Sequence, residues 1–114
     1  MRLKEQRDSD RLAIRLALWL RKDWGTFARG STLELNAGGA QVELDQPLNE
    51  GSLLDVQLKV DGALYFLRAR VVWVRPAWDG RFELGLAFLP SQSADLGRLR
   101  RWHHAQAPCT RLSA

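Results

Sequence analysis

Apolar and polar residues alternate along most of this chain, and the alternation is cut at regular places by Gly, Pro and Asp. In the first alternating stretch Ile14, Leu16, Leu18 and Leu20 fall on one side and Arg15, Ala17, Trp19 and Arg21 on the other. That is the period of a β-strand. Asp23 to Gly25 and Arg29 to Ser31 carry turn-forming residues. Alternation returns over Thr32 to Asn36, breaks at Gly38-Gly39, and resumes with Ala40, Val42 and Leu44. Gln46 to Ser52, with Pro47 and Gly51, reads as a loop. Leu54, Val56, Leu58 and Val60 mark a further strand. Asp61-Gly62 then supplies the residue types that a two-residue hairpin turn requires. The apolar run Ala63 to Arg75 predicts a long, bent strand with a bulge. Pro76 to Gly80 predicts a turn, and Phe82, Leu84, Leu86 and Phe88 a last strand.

After Phe88 the period changes. Ser91 or Ser93 suits a helix N-cap and Asp95 its first turn. Leu96, Leu99 and His103 then share one side, with Trp102 near it and Arg98 and Arg101 largely elsewhere. Pro108 is expected to end the helix. Five to seven short strands followed by one helix must close or stack to bury an apolar face. The pattern therefore predicts a small antiparallel barrel with a helix packed outside it. Residues 1–10 read as a flexible arm and 105–114 as a flexible tail around a domain over 11–104.

Composition narrows the chemistry. At 114 residues the chain has room for one packed domain. Lys and Arg number 17 against 13 Asp and Glu, a formal charge of +4. Only Lys4, Lys22 and Lys59 are lysines, which leaves 14 of the 17 as arginine. Arginine grips phosphate bidentately and stacks on flat rings, so the bias points to an anionic partner. A single cysteine, Cys109, rules out an internal disulfide framework. The charged segment Met1 to Asp10 is unlike a signal peptide, and the longest apolar run, Leu16 to Leu20, is far too short to span a bilayer. The chain reads as cytoplasmic, with no membrane insertion.

Catalysis finds little support. His103 and His104 are adjacent on the terminal helix and point about 100° apart, which makes them poor joint ligands for a metal. No paired carboxylates stand out, and no phosphate-binding glycine motif occurs. The expectation is a non-enzyme without metal or resident cofactor.

Two features remain. Arg11-Leu-Ala-Ile-Arg15 places two guanidiniums four residues apart, able to converge on one anion or to stand as two solvated surface charges. In Glu34-Leu-Asn-Ala-Gly-Gly39, Glu34 and Asn36 project from the same strand face, a carboxylate beside an amide. A guanine edge presents N–H donors that a carboxylate accepts. Gly39 would let a ligand approach the backbone or take a positive φ, or else end the strand in a plain bulge. Trp73, read as alternating with Val71 and Arg75, puts an aromatic beside an arginine and suits either stacking or wall packing. Trp24 and Trp78 fall in turns, where aromatics suggest a protein-contact surface.

With these residues the chain resembles the PilZ domain family, bacterial modules that recognise cyclic di-GMP. The family pattern is RxxxR followed after a gap by [D/N]xSxxG. Arg11 and Arg15 match the first part. In the second, Glu34 stands for Asp or Asn, Asn36 for Ser, and Gly39 is unchanged. Val71 to Pro76 and Phe82 to Phe88 resemble the last two barrel strands, and Ala94 to His103 the helix that follows them. The resemblance implies a mainly β fold, a six-stranded antiparallel barrel with a C-terminal α-helix. It implies a cyclic di-GMP receptor and adaptor that binds through Arg11, Arg15, Glu34, Asn36, Gly39 and Trp73 and signals to a protein effector. Glu34 and Asn36 depart from the pattern, so the competing expectation is a degenerate member that binds protein and no nucleotide. Binding to DNA or RNA ranks third, because acidic residues are interspersed and lysine is scarce.

Overall fold

A computed structural model of the chain describes the backbone of residues 11–22, 25, 27–90 and 94–113, and the side chains through Gln106. The arm expected over 1–10, Trp24 and the caps Ser91 and Ser93 lie outside the described residues. Six strands follow one another: β1 (Ala17–Lys22), β2 (Ala28–Asn36), β3 (Gly39–Leu44), β4 (Leu53–Val60), β5 (Ala63–Pro76) and β6 (Phe82–Leu89). The helix α1 (Asp95–Ser113) comes last. The strands close into an antiparallel barrel in the order β1-β2-β3-β6-β5-β4. Closure answers the problem set by the alternation, because each strand can bury one row of apolar side chains without leaving an unpaired edge. Leu18, Leu20, Leu35, Val42, Leu44, Leu58, Leu84 and Val71 fill the interior.

Local chemistry explains most boundaries. The β4–β5 turn has Asp61 at φ 51° and Gly62 at φ 83°. Both central residues are left-handed, as the Asp-Gly pair predicts for a tight hairpin. Two strand assignments change. Residues 29–31, expected as a turn, belong to β2, where Arg29 pairs with Trp19 and Ser31 with Glu43. The first strand begins at Ala17 rather than Ile14. Residues 11–16 instead run beside the end of β2, tied by reciprocal backbone hydrogen bonds of 2.8 Å between Leu12 and Leu35.

Two bulges shift the faces. In β2 the register slips between Thr32 and Glu34, so Thr32 and Leu35 both point inward and simple alternation over 32–36 fails. Thr32 is fully buried, and its hydroxyl donates to the Ile14 carbonyl while accepting from Leu16 N–H at 2.8 Å. The bulge thus turns a polar side chain inward, where it fastens the N-terminal segment. In β5 the slip lies between Val71 and Trp73. Val71 is buried in the core, so it does not share a face with Trp73 as alternation predicts.

The helix lies along the first part of β5, beyond the end of β6. Leu96, Leu99 and His103 are its buried side, as expected. The Asp95 carboxylate accepts from Phe66 N–H at 2.8 Å, and Arg98 lies over the Tyr65 ring at 4.5 Å. Arg100 Nε donates to the Ala37 carbonyl at 2.9 Å and Trp102 Nε1 to Asp61 at 3.1 Å, so α1 ties together the β2–β3 and β4–β5 turns. Its backbone stays helical to Ser113, and Pro108 does not end it. A proline costs the helix one hydrogen bond and crowds the preceding turn, which kinks a helix as readily as it stops one.

Candidate functional site

The outer wall built from β2, β3, β6 and the second half of β5 brings four of the six residues singled out from sequence into one cavity. Arg11, Glu34, Asn36 and Trp73 line one cavity of about 390 Å³, together with Gln41, Val72, Arg75 and Gly85. This lies within the range of small-ligand sites, roughly 300–1,000 Å³. Each member is placed by a local device. Arg11 is held beside β2 by the Leu12–Leu35 bridge, and its Nε lies 3.8 Å from Glu34 Oε1. Glu34 and Asn36 share the outer face because the β2 bulge precedes both. Asn36 Oδ1 accepts from Gly38 N–H at 2.8 Å, which closes the Ala37-Gly38 turn and leaves the amide NH₂ for a ligand.

Trp73 owes its position to Gly85. A Cβ on Gly85 would strike the indole, so the ring lies against bare backbone of β6. The Arg75 guanidinium sits 5.0 Å from the indole centroid. Glu83 fixes that guanidinium, accepting from Nε at 3.0 Å and from Nη2 at 2.8 Å. Arg75, Gln41 and Gly85 were not singled out as site residues. Arg75 was legible as a neighbour of Trp73; Gln41 and Gly85 gave no signal, since only the β3–β6 and β5–β6 pairings bring them there.

Gly39 plays a different part. Its φ is not positive and it does not line the cavity. A Cβ there would run into the Leu86 backbone carbonyl, so glycine is required for the close β3–β6 approach.

Arg15 faces a second cavity of about 400 Å³, with Arg29, Ser31, Asp45 and Arg81 among its lining residues. Its Nη1 donates to Ser31 Oγ at 3.1 Å and to Glu43 Oε1 at 3.3 Å, and Arg81 Nη1 lies 3.5 Å from the same Glu43 oxygen. The two arginines of RxxxR therefore engage two carboxylates, Glu34 and Glu43, rather than a common point. Trp78, in the short 3₁₀ turn Trp78–Gly80, is 86% exposed. Among the described residues no group of three or more His, Cys, Asp and Glu could hold a metal, and no helix is long and apolar enough to cross a membrane.

A family model described as the PilZ domain matches residues 5–104. Among solved structures, the PilZ domain of CeSA from a cellulose-synthesizing bacterium superposes with a TM-score of 0.65 at 20% identity, over 84% of this chain and 96% of that one. The Bacillus subtilis inhibitor of motility MotI/DgrA gives 0.71 at 15% identity, over 89% of this chain and 51% of that one. YcgR of Escherichia coli, solved in complex with c-di-GMP, gives 0.70 at 16% identity, over 90% and 46%. This chain thus spans about half the length of the last two. No curated protein matches.

Proposed function

The chain belongs to the PilZ domain family, and from that premise we propose that it is a cyclic di-GMP receptor that passes its signal to a partner protein. The observation that carries this reading is the cavity in which Arg11, Glu34, Asn36 and Trp73 converge. It offers a cation for a phosphate, a carboxylate and an amide for a guanine edge, and a flat ring for stacking. YcgR, which shares the fold, was solved with c-di-GMP bound.

Binding on this reading is an exchange of anions. The ligand phosphates replace Glu34 at Arg11 and Glu43 at Arg15, while Leu35 and Thr32 keep the backbone that carries both arginines fixed to β2. Glu34 and Asn36 weaken the contact. A mispositioned partner in such a site costs about 1–3 kcal/mol, or about tenfold to a hundredfold in affinity.

A second reading, a protein-binding module without nucleotide, is favoured by one observation. Both arginines already have carboxylates, and Asn36 Oδ1 is committed to its own turn. Calorimetry with cyclic di-GMP separates the two. Saturable heat that vanishes in Arg15→Ala supports the receptor; no heat and no competition at high micromolar ligand leaves the second reading.

A further inference from the structure

The wall opposite the cavity, on β1, β4 and β5, is of another kind. Trp19, Gln57 and Phe66 stand in one cross-strand row, since Trp19 pairs with Gln57 and Gln57 with Phe66. Below them Lys59 pairs with Leu64. Phe66 is 51% and Leu64 42% exposed. Between β1 and the β4–β5 turn lies a cavity of about 360 Å³ lined by Trp19, Phe27, Gln57, Lys59, Gly62 and Leu64. Alternation along β5 makes these positions outward-facing, and apolar residues at such positions are not needed by the core. Aromatic and aliphatic side chains grouped round one amide are the composition of an interface centre, not of a solvated wall.

The charge around this patch is mixed, with two cations left over. Above the aromatic row, Arg21 and Arg68 both reach Asp55, at 3.3 and 2.9 Å. Arg29, the β2 partner of Trp19, and Lys59 make no ion pair among the described residues. Of the carboxylates nearby, Asp55 is taken by Arg21 and Arg68, Asp95 by Arg98 and Phe66 N–H, and Asp61 by Trp102, so Arg29 and Lys59 border the patch as cations outside any of these pairs. The polar wall differs, because there Arg11, Arg15, Arg75 and Arg81 share Glu34, Glu43 and Glu83. Barrel closure also limits how a partner can attach. The strands pair around the full circle and α1 lies beside the first part of β5, so an incoming strand finds no edge to extend.

We propose that the β1–β4–β5 wall docks an amphipathic helix of a partner protein, its apolar side on Trp19, Leu64 and Phe66 and its flanking Asp or Glu residues on Arg29 and Lys59. This deepens the reading that the signal leaves through a partner, and it does not require nucleotide to be bound. Helix-in-groove recognition of this sort takes apolar anchors at helical spacing and specificity from the charged rim.

The test uses the full chain, isotope-labelled, without nucleotide. The probe is an amphipathic Leu/Glu peptide of about 18 residues, or about five helical turns, with a Leu/Lys peptide of the same pattern as control. The expected result is saturable amide shifts confined to β1, β4 and β5 with the acidic peptide alone. Phe66→Ser and Lys59→Glu should each weaken it about tenfold or more, with unchanged melting temperature. Phe66 is half exposed, so its replacement leaves the core intact. The proposal is overturned if neither peptide shifts these amides, if both peptides bind alike, or if shifts map to β2, β3 and β6. It is also overturned if sedimentation shows a dimer that Phe66→Ser dissociates, which would make the occupant a second copy, or if the chain binds anionic vesicles and no peptide. None of these outcomes bears on calorimetry with cyclic di-GMP, so the two readings fail separately.

Discussion

The two walls of this barrel come from the same alternating pattern and face opposite demands. On the β2–β3–β6 side the outward positions carry Glu34, Asn36, Gln41, Glu43 and Glu83, and Arg11, Arg15, Arg75 and Arg81 each meet one of these carboxylates. On the β1–β4–β5 side they carry Trp19, Leu64 and Phe66, with Arg29 and Lys59 at the border outside any ion pair among the described residues. Inside, both walls contribute the same kind of apolar row to one core. The difference teaches that the interior face of each strand is set by folding, whereas the exterior face is free to vary, and here one exterior is ionic and polar and the other aromatic and aliphatic.

That contrast can be broken at the fold first. Gly39→Ala places a methyl group against the Leu86 carbonyl, which cannot move without separating β3 from β6. Overpacking of this kind costs about 1–3 kcal/mol or more, and chemical denaturation should show it. Gly85→Ala meets the Trp73 indole first, a side chain rather than backbone. It should cost less stability but displace the ring, so that any nucleotide binding falls while the melt stays cooperative.

Thr32→Val comes next. It leaves the Leu16 N–H and the Ile14 carbonyl without their hydroxyl partner, at a cost of about 1–3 kcal/mol. Faster amide exchange at Leu16, with the β4–β5 amides unchanged, would place the effect on the polar wall alone.

Smaller effects sharpen the comparison. Arg15→Ala should lower cyclic di-GMP affinity more than Asn36→Ala does, and without shifting the melting temperature, because exposed ion pairs contribute about 0–1 kcal/mol. Glu34→Asp with Asn36→Ser should raise affinity about tenfold, the lower end of the cost assigned to a mispositioned partner. Calorimetry reads both. Phe66→Ser should leave nucleotide binding unchanged, and a change there would join the two walls into one site.

Much of this was legible in sequence for local reasons. Asp61-Gly62 defines its turn because two adjacent residues suffice to take left-handed φ values. The apolar rows of β3, β4 and β6 follow from a period of two that needs no knowledge of neighbours. Glu34 and Asn36 were placed on one face correctly, since they lie on the same side of the β2 bulge. The failures have the opposite character. Arg29 to Ser31 resembles a turn by residue type, yet it is strand because β1 and β3 flank it. Residues 29–31 were overruled by pairing, and Pro108 by the helix around it.

The chain by itself therefore determined a run of five to seven short strands followed by a helix and the residue types available for an anionic ligand, because each depends on neighbours a few positions away. Only the tertiary structure decided where the bulges fall, since a one-residue slip is settled by the partner strand. Those slips turned Thr32 inward and freed Val71 from the face of Trp73. The structure also gives Arg11 and Arg15, four residues apart in sequence, to different carboxylates. Spacing sets how far two side chains can reach, and the strand beside them sets what they reach.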